Sequence, residues 1–366
     1  LSELLSGIKD APSTKITGIC DDSRNIKKGD VFFAFQGDIS HGMDYLEIVI
    51  EAGAAAIIYE LPYANITENN FNIPIIGVDS LNKYKGEIAN RWHNNISKKL
   101  KIIGITGTNG KTTVAALIQS CLHSLGHICG YIGTLGLGIY ELEDSNLTTP
   151  SNFKLHQVLA DFYRQGAKFV VMEVSSHSIA QNRIAGIPFD ATMFTNLTQD
   201  HYDYHQGSES YFKAKERLFS ELLKSNTAAV INTDDEYGVR LVKKCLDTGK
   251  NVMEIGWSGK DIRIEEIMPL ASSQIIKVFV LGERYELELP LVGEFQVLNA
   301  ILALGLAIKT GVKKEAAIDL LKMLKGVPGR MELAGYGEGG SPIFVDFAHT
   351  ATLFMFNGLP SLFLTP

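Results

Sequence analysis

The 366-residue chain is short of cysteine and tryptophan, with four and two respectively. It also lacks a C-x-x-C pair, a basic tract, and any apolar run of the ~20 residues that a membrane span needs. Each absence excludes something. Cys20, Cys121, Cys129 and Cys245 are scattered, so no disulfide framework is legible, and buried free thiols in a reducing compartment are expected. A net charge of −7 without a basic tract argues against a nucleic-acid binder. It leaves anionic ligands open, because backbone geometry can hold a phosphate inside an acidic protein. Leu1–Leu5 has neither a basic n-region nor a sustained apolar stretch, so no signal peptide is expected, and a first residue other than Met suggests an earlier start. The expectation is a cytoplasmic monomer acting on small molecules, with no nucleic acid and no membrane as partner.

What is present is a chain long enough for two or three domains, with 45% hydrophobic residues. Val31–Phe35, Ala54–Tyr59 and Ile73–Val78 read as strands, and Tyr45–Ala52 as a helix stopped by Gly53. The polar segment Asn94–Lys99 reads as a linker. Beyond it, strands and helices alternate at the spacing of a parallel sheet. The strands are Ile102–Thr106, Phe169–Val174, Ala191–Asn196 and Ala228–Asn232. The helices are Thr113–Leu125, Leu155–Gln165, Tyr211–Leu223 and Glu294–Lys309. Ile275–Leu281 and Tyr285–Leu289 read as a hairpin near the sheet's edge. The fold class is therefore α/β. A small N-terminal α/β module is expected over residues 1–97, a central P-loop-type parallel-sheet domain over 98–332, and the start of a further domain over 333–366.

The most informative local pattern follows the strand Ile102–Thr106. Gly107-Thr108-Asn109-Gly110-Lys111-Thr112-Thr113 leads into a helical run, and strand, glycine loop, Lys-Thr, helix is the context of a phosphate-binding loop. Glycines let backbone N–H groups turn toward phosphate oxygens, and the helix N-terminus favours the anion. Lys111 is placed to reach the β- and γ-phosphates, and the Thr112 hydroxyl to ligate Mg²⁺. The first glycine of the general G-x-x-x-x-G-K-[ST] pattern is replaced by Ile105.

With that departure, Thr106–Thr113 resembles the ATP loop of the Mur ligase superfamily. Further segments resemble the same family in order. They are Asp22-Ser23-Arg24 with Gly29-Asp30-Val31-Phe32, Gly53–Ile58, Thr148-Thr149-Pro150, and Glu173-Val174-Ser175-Ser176-His177 with Gln181 and Arg183. Thr195–His205, Asn232-Thr233-Asp234-Asp235, Asn299 and Gly329-Arg330-Met331-Glu332 complete the set. The Glu173–His177 and Thr195–His205 segments are similar to the MurE-type ligases in particular. The resemblance runs from about residue 15 to 350.

The resemblance implies an ATP- and Mg²⁺-dependent ligase of peptidoglycan precursor synthesis. Its acceptor would be UDP-N-acetylmuramoyl-L-alanyl-D-glutamate. The added amino acid would be meso-diaminopimelate or L-lysine, and the intermediate an acyl phosphate. It assigns Gly107, Thr108, Asn109, Gly110, Lys111, Thr112 and Thr113 to the triphosphate, and Thr112 and Glu173 to one Mg²⁺. His201 would hold a second metal, with Lys215 as its carbamylated partner. By residue pattern alone, Lys213 and Lys215 read as solvated helix surface and the pair His201 and His205 as structural or zinc-like, while an ordinary exposed acid at a strand's end is the alternative to the metal role of Glu173. Asn299 and Arg330 are the implied adenine- and ATP-side contacts, although Phe295-Gln296 stands where the family has Phe-Asn. Asp346 and His349 are implied nucleotide contacts. Ser23, Thr148, Thr149, Ser175, Gln181 and Arg183 are the implied acceptor contacts.

After Thr350 the resemblance ends. Ala351–Pro366 carries no charged residue, so the C-terminal α/β domain is expected to be largely missing, and this chain to bind nucleotide but ligate poorly. Three alternatives stand beside the leading reading. One is a non-catalytic remnant, another a D-Ala-D-Ala-adding Mur ligase, and the third a folylpolyglutamate synthase. Asp22–Arg24 disfavours the folate enzyme, and the Glu173–His177 and Asp200–His205 segments disfavour the other Mur ligase.

Overall fold

The computed structural model describes residues 1–37, 40–64, 71–145, 147–198, 205, 207–337 and 339–347. His201, His349 and the tail from Ala351 to Pro366 lie outside the described residues. The chain forms two compact units.

The first unit comprises Leu1–Leu100, Pro150–Gln165 and Ala180–Ile187. Four strands, β1 (Gly18–Cys20), β2 (Asp30–Ala34), β3 (Ala56–Leu61) and β4 (Ile75–Asp79), pair in parallel in that order. Every residue of β2 is buried, as expected of a parallel strand covered on both faces. Its side chains alternate between two clusters. Val31 and Phe33 pack with Leu5, Ile88 and Phe153, while Phe32 and Ala34 pack with Met43 and Val49. Phe153 opens the helix Asn152–Arg164, and its ring meets Phe33 edge-on at 5.1 Å. Helix α1 (Leu46–Glu51) ends where Gly53 takes φ +88 and donates to the Ile50 carbonyl, a left-handed cap that favours glycine. Helix α2 (Lys85–Trp92) begins at Lys85, whose Nζ lies 3.1 Å from Asp21 and 4.1 Å from the centroid of the Phe35 ring. The segment read as a linker is folded instead. Ile96–Lys99 forms a 3₁₀ turn, and Ser97, 2% exposed, donates to Asn90 Oδ1 at 2.6 Å.

The second unit comprises Lys101–Thr149, Gly166–Ile179 and the chain from Pro188. Its early elements are β5 (Lys101–Thr106), α3 (Lys111–Ser124), β6 (Cys129–Gly133), β7 (Gly136–Gly138) and β8 (Leu142–Glu143). After the first unit's helix, α4 (Asn152–Arg164), come β9 (Phe169–Glu173), α5 (Ser176–Ala180), β10 (Phe189–Phe194), α6 (Ser208–Arg217), β11 (Leu223–Asn232), α7 (Glu236–Asp247), β12 (Asn251–Gly256) and β13 (Ile262–Pro269). Then follow β14 (Gln274–Val280), β15 (Glu283–Leu289), α8 (Glu294–Lys309), α9 (Lys314–Leu321), β16 (Glu332–Tyr336) and β17 (Pro342–Val345).

Eleven strands form one mixed sheet in the order β15-β14-β13-β12-β11-β10-β5-β9-β6-β7-β8. From β13 to β6 the neighbours are parallel, and both ends are antiparallel. The expected edge hairpin is β14–β15. After β5 the chain passes to β6, returns through β9 and continues on the other side of β5 as β10. The carboxyl end of β5 is thus a switch point, where open α/β sheets place ligands. Helix α8 is apolar almost all round and correspondingly buried. At Gly305 it lies so close to β12 that a Cβ would collide with Ile255. Strands β16 and β17 pair as a separate antiparallel hairpin. All four cysteines are buried free thiols. No helix among the described residues is long and apolar enough to cross a membrane.

Candidate active site

The glycine loop joins β5 to α3 at the switch point. Gly107 takes φ +149 and Gly110, the N-cap of α3, takes φ +82. Neither tolerates a side chain, since a Cβ on Gly107 would collide with Thr195 Oγ1 and one on Gly110 with Asn299 Oδ1. The residues after β10 strap the loop down. Thr195 Oγ1 donates to the Asn109 carbonyl at 2.6 Å, and the Asn109 N–H donates to Asn196 Oδ1 at 2.9 Å. The Thr198 N–H reaches Thr108 Oγ1 at 3.0 Å. Strand β10 therefore ends at Phe194, two residues short of the expected Asn196, because Thr195 and Asn196 are turned to this task.

Lys111 Nζ folds back onto its own loop, donating to the carbonyls of Gly107 at 3.0 Å and Thr108 at 2.8 Å. Lys215, on α6, donates to the same Gly107 carbonyl at 2.8 Å and lies 4.3 Å over the Tyr211 ring. Its residue-pattern reading as solvated surface is wrong. Lys215 is 1% exposed, because it shares the buried face of α6 with Tyr211 and Phe212, whereas Lys213 is exposed. The same helix stops early. Arg217 closes α6, a π turn covers Leu218–Leu222, and Leu223 already belongs to β11.

Glu173 ends β9, beside Ile105 of β5, with no exposed surface, which removes the alternative of an ordinary exposed acid. Its carboxylate collects four donors. Thr112 Oγ1 reaches Oε2 at 3.0 Å, the Tyr131 hydroxyl reaches Oε1 at 2.7 Å, and Thr134 supplies its N–H at 2.8 Å and its hydroxyl at 3.2 Å. Burial, then the neighbouring Glu173 charge, raises the Tyr131 phenol far above its ordinary value, so it remains a donor. Tyr131 and Thr134 were not singled out from the sequence. Their only local signal is the Gly133-Thr134 step that closes β6, where a Cβ on Gly133 would collide with Glu173 Oε1. A hydroxyl beside a carboxylate is a hard oxygen donor set, which suits Mg²⁺ better than zinc. Among the described residues no group of three or more His, Cys, Asp or Glu side chains is placed to share a metal.

The other candidates divide between the units. In the second, Thr149 Oγ1 donates to the Glu173 carbonyl at 2.9 Å, Thr148 Oγ1 lies 3.3 Å from Thr134 Oγ1, and Ser175 Oγ accepts from the Ser178 N–H at 3.1 Å. Asn299, 6% exposed, donates to Gln296 at 3.4 Å, and Gln296 donates to the Arg330 carbonyl at 2.8 Å. Gln296 thus ties Asn299 to the Arg330 segment. Arg330 Nε is buried without a hydrogen-bond partner among the described residues. The His205 ring meets those of His177 and Tyr211 at a tilt, with ring centroids at 5.6 and 5.1 Å. Asp346 lies just beyond β17. The first unit holds Ser23, Gln181 and Arg183. Ser23 sits inside a turn closed by Arg24 Nε donating to Asp22 at 2.8 Å, a bond that lowers the Asp22 pKa. Arg183 donates to the Gln181 side-chain oxygen.

Comparison with known proteins agrees with this geometry. The chain matches the Mur ligase middle domain over residues 105–307 and the Mur ligase family, catalytic domain, over residues 15–93. The UDP-N-acetylmuramoyl-L-alanyl-D-glutamate–2,6-diaminopimelate ligase of Brucella melitensis biotype 1 is 36% identical over 349 residues, covering 95% of this chain and 70% of that protein. A solved UDP-N-acetylmuramoyl-L-alanyl-D-glutamate–2,6-diaminopimelate ligase superposes with a TM-score of 0.74 at 28% identity, covering 88% of this chain and 66% of that one. MurF from Acinetobacter baumannii, 20% identical, shares the fold with a TM-score of 0.67 over 94% of this chain and 71% of its own.

Proposed function

The chain belongs to the Mur ligase family, and from that premise we propose that it serves an ATP-dependent ligase that adds 2,6-diaminopimelate to UDP-N-acetylmuramoyl-L-alanyl-D-glutamate. The identity to a ligase of that name supports the substrate. The observation that carries the chemistry is the meeting of Thr112 and Glu173, 3.0 Å apart, beside the Lys111 loop.

Amide formation from a carboxylate in water is uphill, so the carboxylate must first be activated. In the proposed reaction an oxygen of the acceptor's D-glutamate carboxylate bonds to the γ-phosphorus of ATP as the β–γ bridge breaks, giving an acyl phosphate and ADP. The amine then bonds to the acyl carbon, phosphate leaves with the C–O electron pair, and the amine releases a proton. Lys111 turns from the Gly107 and Thr108 carbonyls to the β- and γ-phosphate oxygens, joined by the N–H groups of the 107–113 loop. Thr112 and Glu173 would hold Mg²⁺, which when bound offsets repulsion between the γ-phosphate and the acceptor carboxylate. His201 and a carbamate on Lys215 are assigned to a second cation. The carbamate forms when the neutral Lys215 amine bonds CO₂ and loses a proton. Asn299 and Arg330 orient the nucleotide. Ser23, Thr148, Thr149, Ser175, Gln181 and Arg183 contact the acceptor.

The test is calorimetry and product analysis on the full chain with an acceptor panel. Preferential binding of the UDP-muramoyl dipeptide over the UDP-muramoyl monopeptide and tripeptide, with any ATP-dependent product carrying diaminopimelate rather than L-lysine, is expected. Equal binding of all three, or none, would sink the substrate assignment.

A further inference from the structure

Among the hydroxyls around Glu173, Thr134 differs in kind. Thr112 and Tyr131 reach the carboxylate from α3 and β6 and are themselves buried. Thr134 follows β6, is exposed, and touches two partners, Glu173 Oε2 at 3.2 Å and Thr148 Oγ1 at 3.3 Å. A threonine hydroxyl has one proton to give and lone pairs to accept with, whereas a carboxylate only accepts. Once Thr134 donates to Glu173, its contact with Thr148 has a fixed direction, from the Thr148 hydroxyl to Thr134 to Glu173. The Thr148 proton is then committed inward, and its lone pairs face outward. The turn is shaped for this, because the missing side chain of Gly133 lets the Thr134 N–H come within 2.8 Å of Glu173 Oε1.

We propose that Thr134 is a positioning residue that couples the nucleotide side of the site to the acceptor side, by orienting Thr148 through Glu173. The coupling rests on the acceptor reading above. Thr148 presents an acceptor oxygen, so the group it meets on the UDP-muramoyl dipeptide is an N–H or O–H and not a phosphate oxygen. Anything that fixes Glu173 in place, Mg²⁺ with nucleotide included, fixes Thr148 as well. Nucleotide and acceptor therefore bind cooperatively, and by linkage each strengthens the other by the same factor.

Calorimetry on the full chain tests this, with UDP-N-acetylmuramoyl-L-alanyl-D-glutamate titrated in the absence and presence of saturating Mg²⁺ and ADP. The wild-type protein is expected to bind the dipeptide nucleotide about fivefold or more tightly when Mg²⁺ and ADP are present. Thr134→Val, which keeps the shape and loses the hydroxyl, brings that factor to near one, and Thr134→Ser restores it. Thr148→Val has the same effect, and the double variant is no worse than either single one. Wild-type coupling near one, full coupling retained in Thr134→Val, or a loss in Thr134→Ser as large as in Thr134→Val overturns the proposal. If the wild-type chain binds Mg²⁺ and ADP but no dipeptide nucleotide, the acceptor assignment falls and takes the coupling with it. If the dipeptide nucleotide binds and only the coupling is absent, the acceptor assignment stands.

Discussion

The two units treat buried polar groups in opposite ways. In the first, charge is cancelled where it is buried. Lys85 and Asp21, with side chains 11% and 9% exposed, face each other at 3.1 Å. His156 is buried against the Ala185 carbonyl, and burial pushes its pKa down to about 4. In the second, two lysines converge on one carbonyl, that of Gly107, and the Glu173 carboxylate is met by hydroxyls and a backbone N–H. The first arrangement is complete as it stands, whereas a polyanion and a divalent cation would improve the second. Burial of polar groups is therefore not itself the mark of a site. What the buried groups meet decides it.

The largest test of that contrast is Lys111→Met. It should weaken ATP binding by about 100-fold or more in calorimetry, because the cation that clamps the terminal phosphates is lost. The unfolding midpoint of the first unit should not change. An ATP affinity within about threefold of the wild type would break the contrast on the second unit's side. The matching change in the first unit is Lys85→Met, which strands Asp21 and should cost about 3–5 kcal/mol in urea unfolding. Adding Asp21→Leu should recover most of that loss, because the pair rather than either charge is what the fold needs. Nucleotide affinity should be untouched in both variants.

His156 sharpens the contrast through pH. Its folded pKa of about 4 lies below the unfolded value of ~6.5, so its neutral form is the one the fold prefers. The contribution is fully present above pH ~6.5, falls as pH drops toward about 4, and is level below that. The integrated loss is on the order of 3 kcal/mol, and His156→Gln should flatten the slope in unfolding midpoints measured across that window. The smallest effect is expected at Arg240, 46% exposed, which pairs with Glu209 and stacks 4.6 Å from the Phe212 ring. Arg240→Ala should cost about 1 kcal/mol or less and become salt-insensitive. A larger cost would show that surface charge in the second unit is structural after all.

Sequence pattern reached far where one signal dominates. The long apolar run of α8 is found with the bounds Glu294–Lys309, and the Gly-Lys-Thr loop lies between a strand and a helix as its motif requires. Strand β6 was not legible, because Gly130 and Gly133 dilute the β-forming signal of Tyr131 and Ile132. Helix α9, Lys314–Leu321, is too short to show a full period. No periodicity says which sheet an amphipathic helix covers, so the packing of Phe153 against Phe33 emerges only in three dimensions. The partners of Glu173 come from far along the chain, Tyr131 and Thr134 by 42 and 39 residues, and local reading carries no trace of such meetings. Lys215 could have been separated from Lys213 by helical phase alone, since it falls one turn after Tyr211.

The burial of all four cysteines has a practical side. Cys129 and Cys245 have their thiols pushed up to about 12 and Cys121 to about 11, and burial raises Cys20 as well. At neutral pH almost none is thiolate, the form that reacts with maleimides and iodoacetamides. A single cysteine introduced at Tyr140, 75% exposed, would then outrun the native four, so a fluorophore could be attached at one chosen point without first stripping the protein of its own sulfur.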